Sequence, residues 1–226
     1  MTATWAQGAP IDSRQTAVSF EPAAEVGGVS GTGWARVAVA VHGVGPTPSP
    51  VVMRLDVAGY PPILIDFRHR AFESKLPIGG YPSAPESVLV HQARLAQGDA
   101  AVFGLPGSDL DKLLWRIGFT CFGDQPAPWL LVGERYRLQR WPNFVDLAHH
   151  MDHIRMSAAL ANGFHTADEL AKAAGTDRSA AQRLINAFTL MRVVEASMTA
   201  AVPVTAAASA DAPRSLFRRL REKLGM

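Results

Sequence analysis

Three features of the sequence predict an α+β protein. Short β-rich runs bounded by glycine and proline fill the first half. Helical spacing takes over after residue 142, and a basic amphipathic segment ends the sequence. The expected order is a flexible arm at 1–33, a small mixed α/β domain at 34–141, a three-helix unit at 143–195, a flexible linker at 196–212 and a helix at 213–226. With 226 residues, 48% of them hydrophobic and 19% charged, the chain has enough apolar material for a sizeable core. Its longest unbroken apolar run, Val37–Val41, is far short of the roughly 20 residues that span a bilayer.

The arm is rich in Ala, Gly, Ser and Pro and ends in Gly27-Gly28-Val29-Ser30-Gly31-Thr32-Gly33, with little to bury. Trp34–Val41 reads as a strand, stopped by Gly43, Gly45, Pro46, Pro48 and Pro50. Val51–Val57 and Ile63–Phe67 are two more, separated by Gly59-Tyr60-Pro61-Pro62, and Val88–Leu95 alternates as a fourth. Ser108–Ile117 predicts a helix: Ser108 caps it, Asp109 and Asp111 favour its N-terminus, and Gly118 ends it. Trp129–Val132 and Tyr136–Leu138 predict a closing hairpin around Gly133-Glu134.

Beyond this point the spacing becomes helical. Leu147, Met151, Ile154, Ala158 and Ala161 lie at intervals of 4, 3, 4 and 3, one face of a helix that Asn162-Gly163 ends. Thr166-Ala167-Asp168-Glu169 has capping-box spacing and opens a second helix to Ala174. After the Gly175-Thr176-Asp177 turn a third restarts near Ser179, with Leu184, Phe188 and Met191 as its buried stripe. Three helices joined by such a tight turn make a trihelical helix-turn-helix unit.

The segment Thr166–Phe188 resembles the helix-turn-helix of winged-helix proteins. Ala171 matches the small residue where two helices cross, Gly175 the turn, and Leu184 the anchor of the second helix. The resemblance covers residues 147–191 and departs after Val193-Val194-Glu195, where no wing hairpin is evident. It implies a module that reads DNA in some proteins and docks protein partners in others. The exposed set on its second helix would be Arg178, Ser179, Gln182, Arg183 and Asn186. Residues 166–192 hold four basic and three acidic groups, which is little charge for neutralising several phosphates. Docking of a protein partner is therefore the leading expectation, and a DNA-binding transcriptional regulator is the alternative.

Net charge is +2, yet residues 213–226 alone carry five basic groups and one acidic. On a helical wheel Leu216, Phe217, Leu220 and Leu224 form one face, and Arg218, Arg219, Arg221 and Lys223 fall on the other. Such a tail suits attachment to an anionic membrane surface or to a partner's groove. The opening Met1–Gln7 lacks the basic segment and apolar stretch expected of a signal peptide, and the single cysteine, Cys121, excludes internal disulfides. A cytoplasmic protein, peripheral at the inner membrane surface if the tail attaches there, is expected.

No catalytic constellation is complete. Ala40-Val41-His42-Gly43-Val44-Gly45 has no Gly-x-Ser-x-Gly elbow to accompany it, and no Gly-Lys-Ser/Thr follows Gly79-Gly80 or Gly104. Arg68 and Arg70 would share a strand face and grip an anion, and with His42 they are the only groups from which an enzyme site suggests itself. His149 and His153 are spaced to share a metal, but without a companion motif His149, His150 and His153 read as a polar helix face. Cys121 reads as a core residue, and Trp115, Trp129 and Trp141 as seals of the first domain and its junction. The expectation is a non-enzymatic regulatory or adaptor protein with no cofactor, no metal and no identifiable small-molecule ligand.

Overall fold

A computed structural model of the chain describes residues 18–23, 33–46, 48–96 and 98–198. The α+β class is correct: among the described residues five α-helices accompany a six-stranded antiparallel sheet and a two-stranded one. Alternation in the central strand β2 (Val51–Val57) explains the larger sheet. Val51, Met53, Leu55 and Val57 are buried on one face, whereas Arg54 and Asp56 turn outward. Register carries that face across β3 (Ile63–Asp66), β4 (Ala71–Ser74) and β5 (Val88–Arg94), placing Met53 opposite Ile65, Ile65 opposite Phe72, and Leu55 opposite Val90. Two-residue strands flank both sides, β1 (Glu21–Pro22) on β5 and β6 (Ser108–Asp109) on β4. The expected flexible arm therefore contributes one ordered pairing.

Trp34–Val41 is not a strand. It lies in helix α1 (Gly33–Gly43), because Trp34, Ala35, Val37, Ala38 and Val41 form a buried helical stripe that outweighs the valines' preference for strands. Trp34 Nε1 donates to the Pro82 carbonyl at 2.9 Å, and a Cβ on Gly33 would meet the Pro85 carbonyl oxygen at 2.7 Å. Helix α2 (Leu110–Thr120) starts later than Ser108, since Ser108 and Asp109 are paired with β4. Asp109 is its cap, accepting from the Asp111 N–H at 2.9 Å. Nor does Gly118 end α2, for that glycine is the point where another helix approaches.

The hairpin expected around Gly133-Glu134 is absent among the described residues. Strand β7 (Arg135–Leu138) instead pairs with β8 (Val194–Ser197), far along the sequence, and Tyr136 bridges to His165. No local turn motif encodes a pairing at that separation.

The three later helices form near their expected places: α3 (Met151–Asn162), α4 (Ala167–Ala174) and α5 (Arg178–Met191). Thr166 Oγ1 accepts from the Glu169 N–H at 3.3 Å and Glu169 Oε2 from the Thr166 N–H at 2.8 Å, closing the capping box. Gly175 sits in the left-handed region at φ 64°, and Asp177 caps α5. The stripe on α3 is rotated from the expected one. Met151, Ala158 and Ala161 are exposed, and His153, Met156, Ser157 and Leu160 are buried. His153 and Ser157 tolerate burial because the Ser157 hydroxyl donates to the His153 carbonyl and the His153 ring stands edge-on to Trp115 and Phe119. One apolar cluster runs from Trp34 on α1 to Val193 beyond α5, with Ala187 Cα only 2.6 Å from where a Cβ on Gly118 would stand.

Candidate functional site

Helix α5 does not present the five residues as one surface. Asn186 is 0% exposed and Gln182 5%. Asn186 Oδ1 accepts from the Ala127 N–H and from Gln182 Nε2, both at 3.0 Å, while its Nδ2 donates to the Gln125 carbonyl at 2.9 Å. These amides pin the loop after α2 to α5, so neither reaches a partner. Helical spacing shows that residues share a face but not whether that face is covered. Arg183 is half-buried, its guanidinium 5.7 Å from the Phe119 ring centroid, with Nε directed at the Ser179 carbonyl. Ser179 is half-exposed and Arg178 exposed, with Arg178 paired to Asp168 at 2.9 Å. Only the first turn of α5 faces water with polar side chains from the expected set.

Arg68 and Arg70 are not on a strand. They lie in the turn between β3 and β4, with Arg70 at φ 49°. Arg68 holds the buried Asp66 through Nε and Nη2 and also donates to the Asp99 and Ala100 carbonyls. Burial pushes the Asp66 carboxyl up, but hydrogen bonds from Arg68 and His69 outweigh it and hold the group below its usual range. Arg70 pairs with Asp111, which also takes Arg140 at 3.0 Å. The anion grip expected of Arg68 and Arg70 is thus engaged by the protein's own carboxylates.

The remaining candidates resolve similarly. His153 Nδ1 accepts from the His150 N–H at 3.1 Å, and burial lowers its pKa to about 4. It belongs to the core, not to a polar face shared with His149 and His150. Among the described residues no group of three His, Cys, Asp or Glu is placed for a metal. Burial pushes the Cys121 thiol up to about 12, as suits a core cysteine. Trp115 is buried against Phe119, Phe144 and Phe188, but Trp141 stands 52% exposed and seals nothing. The tail residues Leu216, Phe217, Leu220, Leu224, Arg218, Arg219, Arg221 and Lys223 lie outside the described residues, as does the 199–212 part of the linker.

Two features emerge that residue patterns did not single out. The first is a ledge between β7 and α3. Pro142 and Leu147 are buried, Phe144 stands edge-on to Trp115, and Trp115 Nε1 donates to the Ala148 carbonyl at 2.9 Å. Asn143 Nδ2 donates to Asp146, which also meets Lys112 at 3.2 Å. On this anchored backbone Val145 is 93% exposed and Met151, just beyond it, 68%. Trp141 begins the same stretch. A clue was available: apolar residues set among Pro142, Asn143 and Asp146, outside any periodic pattern.

The second is a cleft of about 450 Å³ bounded by the end of α1, the 129–134 loop, the β7–β8 ribbon and the end of α5. His42 stacks on Trp129 with ring centroids 4.3 Å apart, and Trp129 Nε1 donates to Thr189 Oγ1. Arg192 Nη2 donates to the His42 carbonyl at 2.9 Å. Burial, then Arg192, lowers the His42 pKa, which favours the neutral ring. Tyr136 donates to Glu134 Oε2 at 2.8 Å, and its own ionisation is pushed up by burial and then by that carboxylate.

No helix among the described residues is long and apolar enough to cross a membrane. No family model, curated protein or solved structure matches the chain.

Proposed function

We propose that this is a non-enzymatic regulatory or adaptor protein that docks a protein partner, and that the docking element is the 141–151 ledge. The observation that carries this reading is the exposure of Trp141, Val145 and Met151 on a backbone fixed by buried neighbours and side-chain hydrogen bonds. An ordered apolar projection keeps its shape before binding, so little entropy is lost when a partner covers it. The helix-turn-helix-like unit then acts as scaffold, with α5 inside. The alternative, a DNA-binding regulator, loses support because Gln182 and Asn186 are spent on internal hydrogen bonds.

The test compares affinity capture from extracts of the source cells by the full chain and by Val145→Asp. Because Val145 is exposed, that change should alter stability by no more than about 0.5 kcal/mol. A partner retained by the native chain and lost with Val145→Asp is expected. Equal retention by both, with loss on Arg178→Ala, would return the docking surface to α5.

A further inference from the structure

We propose that the cleft around Arg192 is a binding site for a small organic monoanion, a carboxylate carried on an apolar body. Arg192 is half-buried at φ 56° just past α5, and among the described residues its guanidinium makes one hydrogen bond, to the His42 carbonyl. No carboxylate among the described residues pairs with it. Burial, then the like charge of Arg70, lowers its pKa. The other arginines nearby differ: Arg70 and Arg140 share Asp111. A guanidinium so placed has unused donors in a fork geometry that matches a carboxylate.

The surroundings define the rest of the ligand. Pro46, Trp129, Leu130, Val194 and Ala196 give apolar walls, and the volume falls within the range of about 300–1,000 Å³ usual for small-molecule sites. The charge balance favours a monoanion. Arg192 supplies one positive charge, His42 is held toward neutrality, and Glu134 contributes a negative one to the same lining. A doubly charged phosphate would bring more negative charge than Arg192, the one arginine of the lining, can match beside Glu134. Glu134 Oε2 is itself occupied, accepting from the Tyr136 hydroxyl and the Leu131 N–H.

Benzoate and its neutral isostere benzamide test the proposal on the full chain, with nitrogen–proton NMR following the Trp129 indole N–H and the Gln139 amide. Benzoate should shift both resonances saturably at millimolar concentration, with benzamide at least tenfold weaker. Arg192→Gln should weaken benzoate at least tenfold while leaving distant resonances in place. If Arg192→Gln does not fold, Ala196→Phe obstructs the apolar end without altering charge and should abolish the shifts. Equal binding of benzoate and benzamide would overturn the proposal, as would full benzoate affinity in either folded variant or no saturable shift up to 20 mM (roughly the weakest affinity of interest).

Discussion

Asn186 shows how far one side chain's role depends on what covers it. On the wheel it shares a face with Gln182 and Arg183, yet it bonds the Ala127 N–H, the Gln125 carbonyl and Gln182 Nε2. Asn186→Ala leaves those groups buried and unpaired, and should lower stability by about 2–4 kcal/mol in urea unfolding. A change of only a few tenths would mean that the amide faces water. His153 gives a pH signature. Its folded pKa of about 4 lies below the 6.5 of an unperturbed histidine, so the unfolded chain takes up the proton first as pH falls. Its contribution is intact above about pH 6.5 and declines toward pH 4. Between pH 7 and 5 the loss should be about 2 kcal/mol, and His153→Phe should remove it. Two other groups add losses common to both proteins: His42, also lowered by burial, in the same window, and Asp66, held low by Arg68, at more acidic pH.

At the scale of elements, the contact of α2 with α5 decides the architecture. Gly118 permits it, since a methyl group there would stand 2.6 Å from Ala187 Cα and 3.1 Å from Ala187 N. Gly118→Ala should therefore destabilise by about 1–3 kcal/mol, and urea titration would show it. A neutral or stabilising effect would contradict this close crossing. The same contact explains what was legible in the sequence. Strands β2, β3 and β5, the Thr166–Glu169 capping box and the Gly175 turn are written in local spacing and were readable. Helix α1 was not, because its six valine and alanine positions suit either period and only packing against the rest of the core selects one. The β7–β8 pair was not readable either, because its strands lie on opposite sides of three helices in sequence. Residues of the α5 face were identified by type and spacing, but their burial depends on α2 and the loop after it. The ledge and cleft are made by exposure and by distant juxtapositions such as His42 with Trp129.

At the scale of the molecule, one apolar cluster organises the described residues. Trp115 touches Phe188, Arg192 reaches His42, and β7 pairs with β8 across the three later helices in sequence. Calorimetry should accordingly show a single transition with calorimetric and van't Hoff enthalpies equal, and two separable transitions would contradict a shared core. Fixed by that core, the 141–151 segment holds apolar side chains toward water, and partner docking there is the central functional claim. Photo-crosslinking tests it most directly, with a benzophenone amino acid at position 145 or 179 of the full chain in source-cell extract. A discrete adduct is expected from position 145, lost when Trp141→Ser is added, and none from position 179. A discrete adduct from 179 with none from 145 would contradict it.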